Sequence, residues 1–153
     1  MVIYYNQIMN SISRGGYKYI GDGSSRKVFD LKNGYVIKVA KNMAGIEQNR
    51  MESKISKSDN TGLFAKVKYS SPNYEFIIMK KAKKVDDILW VWSYFGVFDA
   101  VEFLNLGELQ RIKYKYDLML NDLNRASSWG IVDGKMVIID YGYTKKIREK
   151  YYA

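Results

Sequence analysis

The chain has 153 residues, 47% hydrophobic and 27% charged, which suits one folded domain with a sizeable core and leaves little room for a second. It contains neither cysteine nor histidine, which excludes disulfides, thiol nucleophiles, Ser-His-Asp and Cys-His hydrolysis and most zinc chemistry. The formal charge of +9 admits acidic partners (nucleic acid, nucleotide phosphates or an acidic protein) and serves solubility equally well.

The opening "VIYYNQIMNSIS" has apolar residues at Val2, Tyr5, Ile8, Met9 and Ile12, a helical spacing stopped by Gly15-Gly16. It has neither a basic start nor a long apolar run, so no signal peptide is read and a cytoplasmic protein is expected. Three short strands follow in "YKYIG", "KVFDL" and "YVIKVA", separated by the turn signals "DGSS" and "KNG". Residues 44–57 read as a helix with Ile46, Met51 and Ile55 toward a core. "LFAKVKY" and "YEFIIMK" are two further strands joined by "SSPN". The middle of the chain is helical, in "VDDILWVWSYFGVF" and then over residues 101–122. There Leu109, Ile112, Tyr116 and Met119 recur at amphipathic spacing, with Asp122 at the end of a long helix. "WGIV" and "KMVIID" flank an Asp-Gly turn and predict a small hairpin. The apolar run from Ile88 to Phe98 is far shorter than the roughly 20 residues a membrane span needs, and reads as a core or interface segment.

Four places can carry chemistry. In "GDGSSRKV", Gly21 and Gly23 let the backbone approach an oxyanion, although Gly-Asp-Gly is also an ordinary hairpin turn. Lys38 lies on a strand whose same-face neighbours, Val36 and Ala40, are small and apolar. It is either a snorkelling lysine or a half-buried ammonium over a ligand, paired with Glu47 or Glu52. Asp140 follows three apolar residues, as a turn or capping residue or as a ligand for Mg²⁺ beside phosphates. Asp122 is either a loop residue or a carboxylate that accepts a proton.

The order of these features resembles the protein-kinase-like superfamily, which also includes aminoglycoside phosphotransferases and small phage-type kinase-like proteins. "GDGSSRKV" is similar to the glycine-rich loop, with Arg26 in place of the third glycine, and "YVIKVA" to V-A-I-K. "DLNRASSW" resembles the catalytic loop, with Ser127 where the family has asparagine. "DYG" resembles D-F-G, 18 residues after Asp122. The resemblance implies an α+β, protein-kinase-like fold: a five-stranded antiparallel N-lobe sheet with one helix over about residues 1–80, and a reduced, mainly helical C-lobe with a small hairpin over 81–153.

It further implies ATP and Mg²⁺ as cofactors. Gly21, Gly23, Ser24, Ser25, Arg26, Val28, Lys38 and Met79 would line the nucleotide. Glu52, preferred to Glu47, would hold Lys38. Asp140 with Ser127 would bind the metal, and Asp122 would act as base. The expected activity is transfer of the γ-phosphate to a protein or to the chain itself. Departures are equally visible. Leu120-Asn121 stand where the family has His-Arg, and only 11 residues follow Gly142. They support an alternative: an inactive kinase-like module that binds an acidic or host protein through "ILWVWSYFGVF". Nucleic-acid binding through the lysine runs ranks last, because no recognisable motif accompanies them.

Overall fold

Turn signals between short apolar runs close an antiparallel meander of β1 (Lys18–Asp22), β2 (Arg26–Asp30) and β3 (Tyr35–Ala40). The computed structural model describes residues 5–15 and 17–152; Val2 and Gly16, read above as part of the opening helix and its stop, lie outside them. Helix α1 (Tyr5–Ser13) precedes the meander and α2 (Met43–Ser58) follows it. Strands β4 (Val67–Ser70) and β5 (Phe76–Lys80) complete a five-stranded sheet in the order β1-β2-β3-β5-β4.

Strand register decides which residues share a face. Val28 pairs with Lys38, Lys38 with Ile77, and Val36 with Met79. Side chains alternate along a strand, so the intervening residues Phe29, Ile37, Val39, Phe76 and Ile78 occupy the opposite face, where they pack with Ile8 of α1. That leaves the Lys38 face for α2 and for a cleft. Helix α2 is capped by Asn42, whose side chain accepts from the Gly45 amide at 3.0 Å. Ile55 is fully buried as expected, but Ile46 and Met51 are only half-buried. Besides Ala44 and Gly45, the rest of the buried face is polar, with Gln48, Asn49, Glu52, Ser53 and Ser56. Asn49 and Glu52 on this face meet the charges of Arg26 and Lys38 on the sheet.

The second half of the chain comprises β6 (Lys83–Lys84), α3 (Ile88–Phe95), α4 (Ala100–Leu104) and α5 (Gly107–Tyr116). Single 3₁₀ turns at Leu120–Leu123 and Ala126–Ser128 lead into β7 (Trp129–Val132), β8 (Lys135–Ile138) and α6 (Lys145–Tyr151). Its core, which includes Val91, Phe103, Leu109, Ile112, Trp129 and Ile138, is one cluster with Ile55 of α2 and Ile77 and Met79 of β5. The long helix expected through residue 122 is broken. One break falls before Gly107, and α5 stops where Asp117 turns left-handed at φ 59°. The Asp117 carbonyl and carboxylate then accept from the amides of Lys145 and Lys146, at 3.0 and 3.2 Å. Met119 is therefore off the helix, and Asp122 sits in a 3₁₀ turn. Past the break, Leu118 and Leu123, which stand outside the Leu109-Ile112-Tyr116-Met119 series, are buried on the same core.

The expected hairpin forms as β7–β8 around Asp133-Gly134, both at positive φ, and β6 adds a third strand that no turn or alternation signal in the sequence marked. Helix α6 was equally hidden, since "TKKIREKYY" reads from the sequence only as charge. Thr144 caps that helix by accepting from the Ile147 amide at 3.2 Å, and Ile147 is buried. In and beside α3 and α4, Leu89, Trp90, Tyr94, Phe98 and Val101 are exposed. Among the described residues no helix is long and apolar enough to cross a membrane.

Candidate functional site

A lysine in the middle of a sheet needs a partner, and the helix packed on that face provides it. Lys38 Nζ lies 2.8 Å from Glu52 Oε1 and donates to the Ile139 carbonyl at 2.5 Å. Burial pulls the Lys38 ammonium below its ordinary value; Glu52 opposes this and the nearby Arg26 charge reinforces it. Glu47 does not compete for the lysine. It faces α6, accepting from Lys150 Nζ at 3.0 Å and the Tyr151 hydroxyl at 2.9 Å.

Glu52 is fully buried and accepts from four groups. Besides Lys38, these are Arg26 Nη2 at 2.7 Å and the amides of Tyr141 and Gly142 at 3.2 and 2.9 Å. Burial works against its charge, but Arg26 and Lys38 outweigh that and hold the carboxyl down at about 2. Both amides belong to the "DYG" stretch, so the helix, the lysine strand and the segment after β8 are tied at one carboxylate. Gly142 must be glycine for close approach: a Cβ there would lie 2.5 Å from the Gln48 carbonyl oxygen. The same holds for Gly45 on α2, where a Cβ would meet the Ser25 carbonyl at 2.2 Å.

Arg26 is the site residue whose role sequence reasoning underestimated. It is only 7% exposed, and its Nη2 bridges Glu52 and Asp140, the latter at 2.8 Å from Oδ1. Its Nη1 donates to Asn49 Oδ1 at 3.2 Å. Asn49 is itself held by donating Nδ2 to the Tyr74 carbonyl at 2.9 Å, which leaves Oδ1 toward the guanidinium. Burial disfavours the Arg26 charge, yet Glu52 and Asp140 outweigh it and its pKa is raised. One signal in the sequence pointed at Asn49: it stands three residues before Glu52, on the same face of α2.

Apart from Glu52, which lies behind Lys38, every expected site residue lines one cleft of about 970 Å³ between the five-stranded sheet and the helical half. A Cβ added at Gly21 or Gly23 would meet no atom within 4 Å, so the hairpin's inner surface is open. Its serines are less free: the Tyr152 hydroxyl shares hydrogen bonds with Ser25 and, at 3.0 Å, with Ser24. Asp140 lies two residues past the end of β8, with its side chain 55% exposed. Asp122 pairs with Arg125 at 2.6 Å. Burial raises the Asp122 pKa, against the pull of Arg125 and with the help of Asp140. Ser127 is exposed, whereas Ser128 is buried and donates to the Asp122 carbonyl at 2.6 Å.

The kinase resemblance implies a magnesium ion at Asp140 and Ser127. Magnesium takes near-octahedral oxygen ligands, usually one or two carboxylates plus waters and phosphates. Here Asp140 and Asp122 each already hold a guanidinium, from Arg26 and Arg125. The residues as arranged do not fit that ion.

No protein-family model matches the chain, and no curated protein matches its sequence. Among solved structures, it is similar to APH(2")-IIa in a ternary complex with streptomycin and ATP: TM-score 0.52, 15% identity, 93% of this chain and 73% of that one. It is also similar to the PknI kinase domain of Mycobacterium tuberculosis, at TM-score 0.47 and 13% identity, covering 85% of this chain but 59% of that domain. A second structure of that domain gives the same TM-score at 12% identity. The fold is therefore α+β and kinase-like.

Proposed function

We propose that the protein binds a nucleoside triphosphate, ATP by resemblance, with the phosphates between the glycine hairpin and Lys38. The observation that carries this reading is the Lys38 ammonium, buried against Glu52 yet lining an open cleft. A buried ion pair is weak support for stability alone, and its retention beside a cleft favours a ligand of opposite charge. Transfer of the γ-phosphate to a hydroxyl of a protein, or of this chain, follows with Asp122 as the group that accepts or orients the hydroxyl proton. The magnesium ion stays outside this reading, because the donor set at Asp140 and Asp122 does not fit it.

Calorimetric titration with ATP tests the binding step. Wild type is expected to bind and Lys38→Met, folded by circular dichroism, to lose binding; ATP that binds neither protein overturns the proposal. Incubation with γ-labelled ATP, alone and with a lysate, tests transfer, which Asp122→Asn should abolish. A second reading, a module that binds a protein partner without turnover, draws on the exposed Trp90, Phe98 and Val101. Nucleotide bound with no label transferred favours it.

A further inference from the structure

Deepening the nucleotide reading and resting on it, we propose that Arg26 takes the place of the divalent cation at Asp140, so that the cleft accepts its triphosphate without a metal ion. A polyanion entering a site walled by carboxylates needs positive charge to neutralise them. Here that charge is covalently part of β2. Lys38 and Arg26 are balanced by Glu52 and Asp140, so the quartet is neutral with Arg26 and carries one net negative charge without it.

The guanidinium is held rather than loosely laid across the opening. The Arg26 backbone carbonyl accepts from the Gly23 amide at 2.9 Å, and the residue pairs with Ala40 of β3. Its side chain is gripped by Asn49, Glu52 and Asp140. Guanidinium has five N–H groups. These contacts use three, leaving the Nε hydrogen and one Nη1 hydrogen for a ligand in the cleft that Arg26 lines. Arginine is always charged, and each of these two N–H groups can donate singly to a phosphate oxygen, since both Nη2 hydrogens are already taken by Glu52 and Asp140. A dication at the same carboxylate would sit beside the guanidinium that Asp140 Oδ1 already holds at 2.8 Å, and the two positive charges would repel.

The test is ATP binding by calorimetry on the full chain, in excess EDTA and again in excess Mg²⁺. The wild type is expected to bind equally well in both buffers. Arg26→Gly should weaken binding in EDTA by about 10- to 100-fold, the worth of one charge-assisted phosphate contact, and regain much of it with Mg²⁺. Arg26→Lys, which keeps a cation, should stay close to wild type in EDTA and guards against a glycine variant that fails to fold. Wild-type binding that requires Mg²⁺ overturns this proposal while leaving the nucleotide reading intact. Absence of binding in both buffers overturns both.

Discussion

Lys38 on β3 and Glu52 on α2 form an ion pair of 2.8 Å in which the carboxylate is fully buried and the ammonium nearly so. The same carboxylate holds Arg26 and two backbone amides of the segment after β8, so four separate parts of the chain depend on one side chain.

Removing Glu52 should therefore cost far more than removing a surface acid. Glu52→Ala leaves two buried cations without a shared counter-charge, and a loss of about 3–5 kcal/mol in urea unfolding is expected. Glu47→Ala, whose partner Lys150 is largely exposed, should change stability by less than about 1 kcal/mol. Equal losses for the two would contradict a network centred on Glu52.

Acid should unfold the protein through the same group. The Glu52 carboxyl is held at about 2 in the fold against an ordinary 4.5. Its stabilisation is then complete above pH 4.5 and is lost progressively as pH falls toward 2, because the unfolded chain takes up the proton first. Melting temperatures measured across this window should fall steeply for wild type and less steeply for Glu52→Gln. Identical slopes would remove Glu52 as the cause.

Two glycines are fixed by contact and two others are not. Gly142→Ala and Gly45→Ala force a Cβ into the carbonyls of Gln48 and Ser25, and should each cost about 1–3 kcal/mol. Gly21→Ala and Gly23→Ala meet open space at φ values that other residues adopt, so stability should move by less than about 1 kcal/mol. Their effect should appear in ATP affinity instead, as the new methyl narrows the hairpin. Chemical denaturation and nucleotide titration of the four variants separate these roles.

Asp122 and Arg125 can be separated in the same way. Asp122 is partly buried on a 3₁₀ turn, and its loss should leave the core in place. Asp122→Asn should retain ATP binding within about threefold, since the side chain is not expected to contact the nucleotide's charge directly, and should lose label transfer by about 100-fold or more. Arg125→Ala, which frees the carboxylate, should change the pH profile of transfer rather than binding. A loss of binding in Asp122→Asn would move this residue from proton handling to ligand holding.

Much of this molecule was legible in the order of its residues. Alternating apolar residues with Asp-Gly and Asn-Gly turns specify strands and hairpins locally, so the meander, β4–β5 and β7–β8 were readable. The resemblance of their motifs to those of the kinase-like superfamily implied that Lys38, Asp122 and Asp140 meet, and they do line one cleft. Apart from Glu52, the polar face of α2 was not legible, because apolar periodicity looks for an oily stripe and this helix buries Gln48, Asn49, Ser53 and Ser56 instead. Nor was the end of α5, where left-handed Asp117 and its bonds to α6 stop a helix whose spacing runs on.

The chain's own residues determined the elements and the charges that had to find partners, since turn chemistry and alternation act over a few residues. Only the packed structure decided which charge meets which. The resemblance preferred Glu52 to Glu47 as the partner of Lys38 without excluding either, and the rotation of α2 turns Glu47 to α6 and Glu52 to Lys38. The seat of Arg26 on Asp140, across 114 residues, was likewise set by how β2 and the end of β8 come to face each other, a property of three-dimensional packing that no local pattern records.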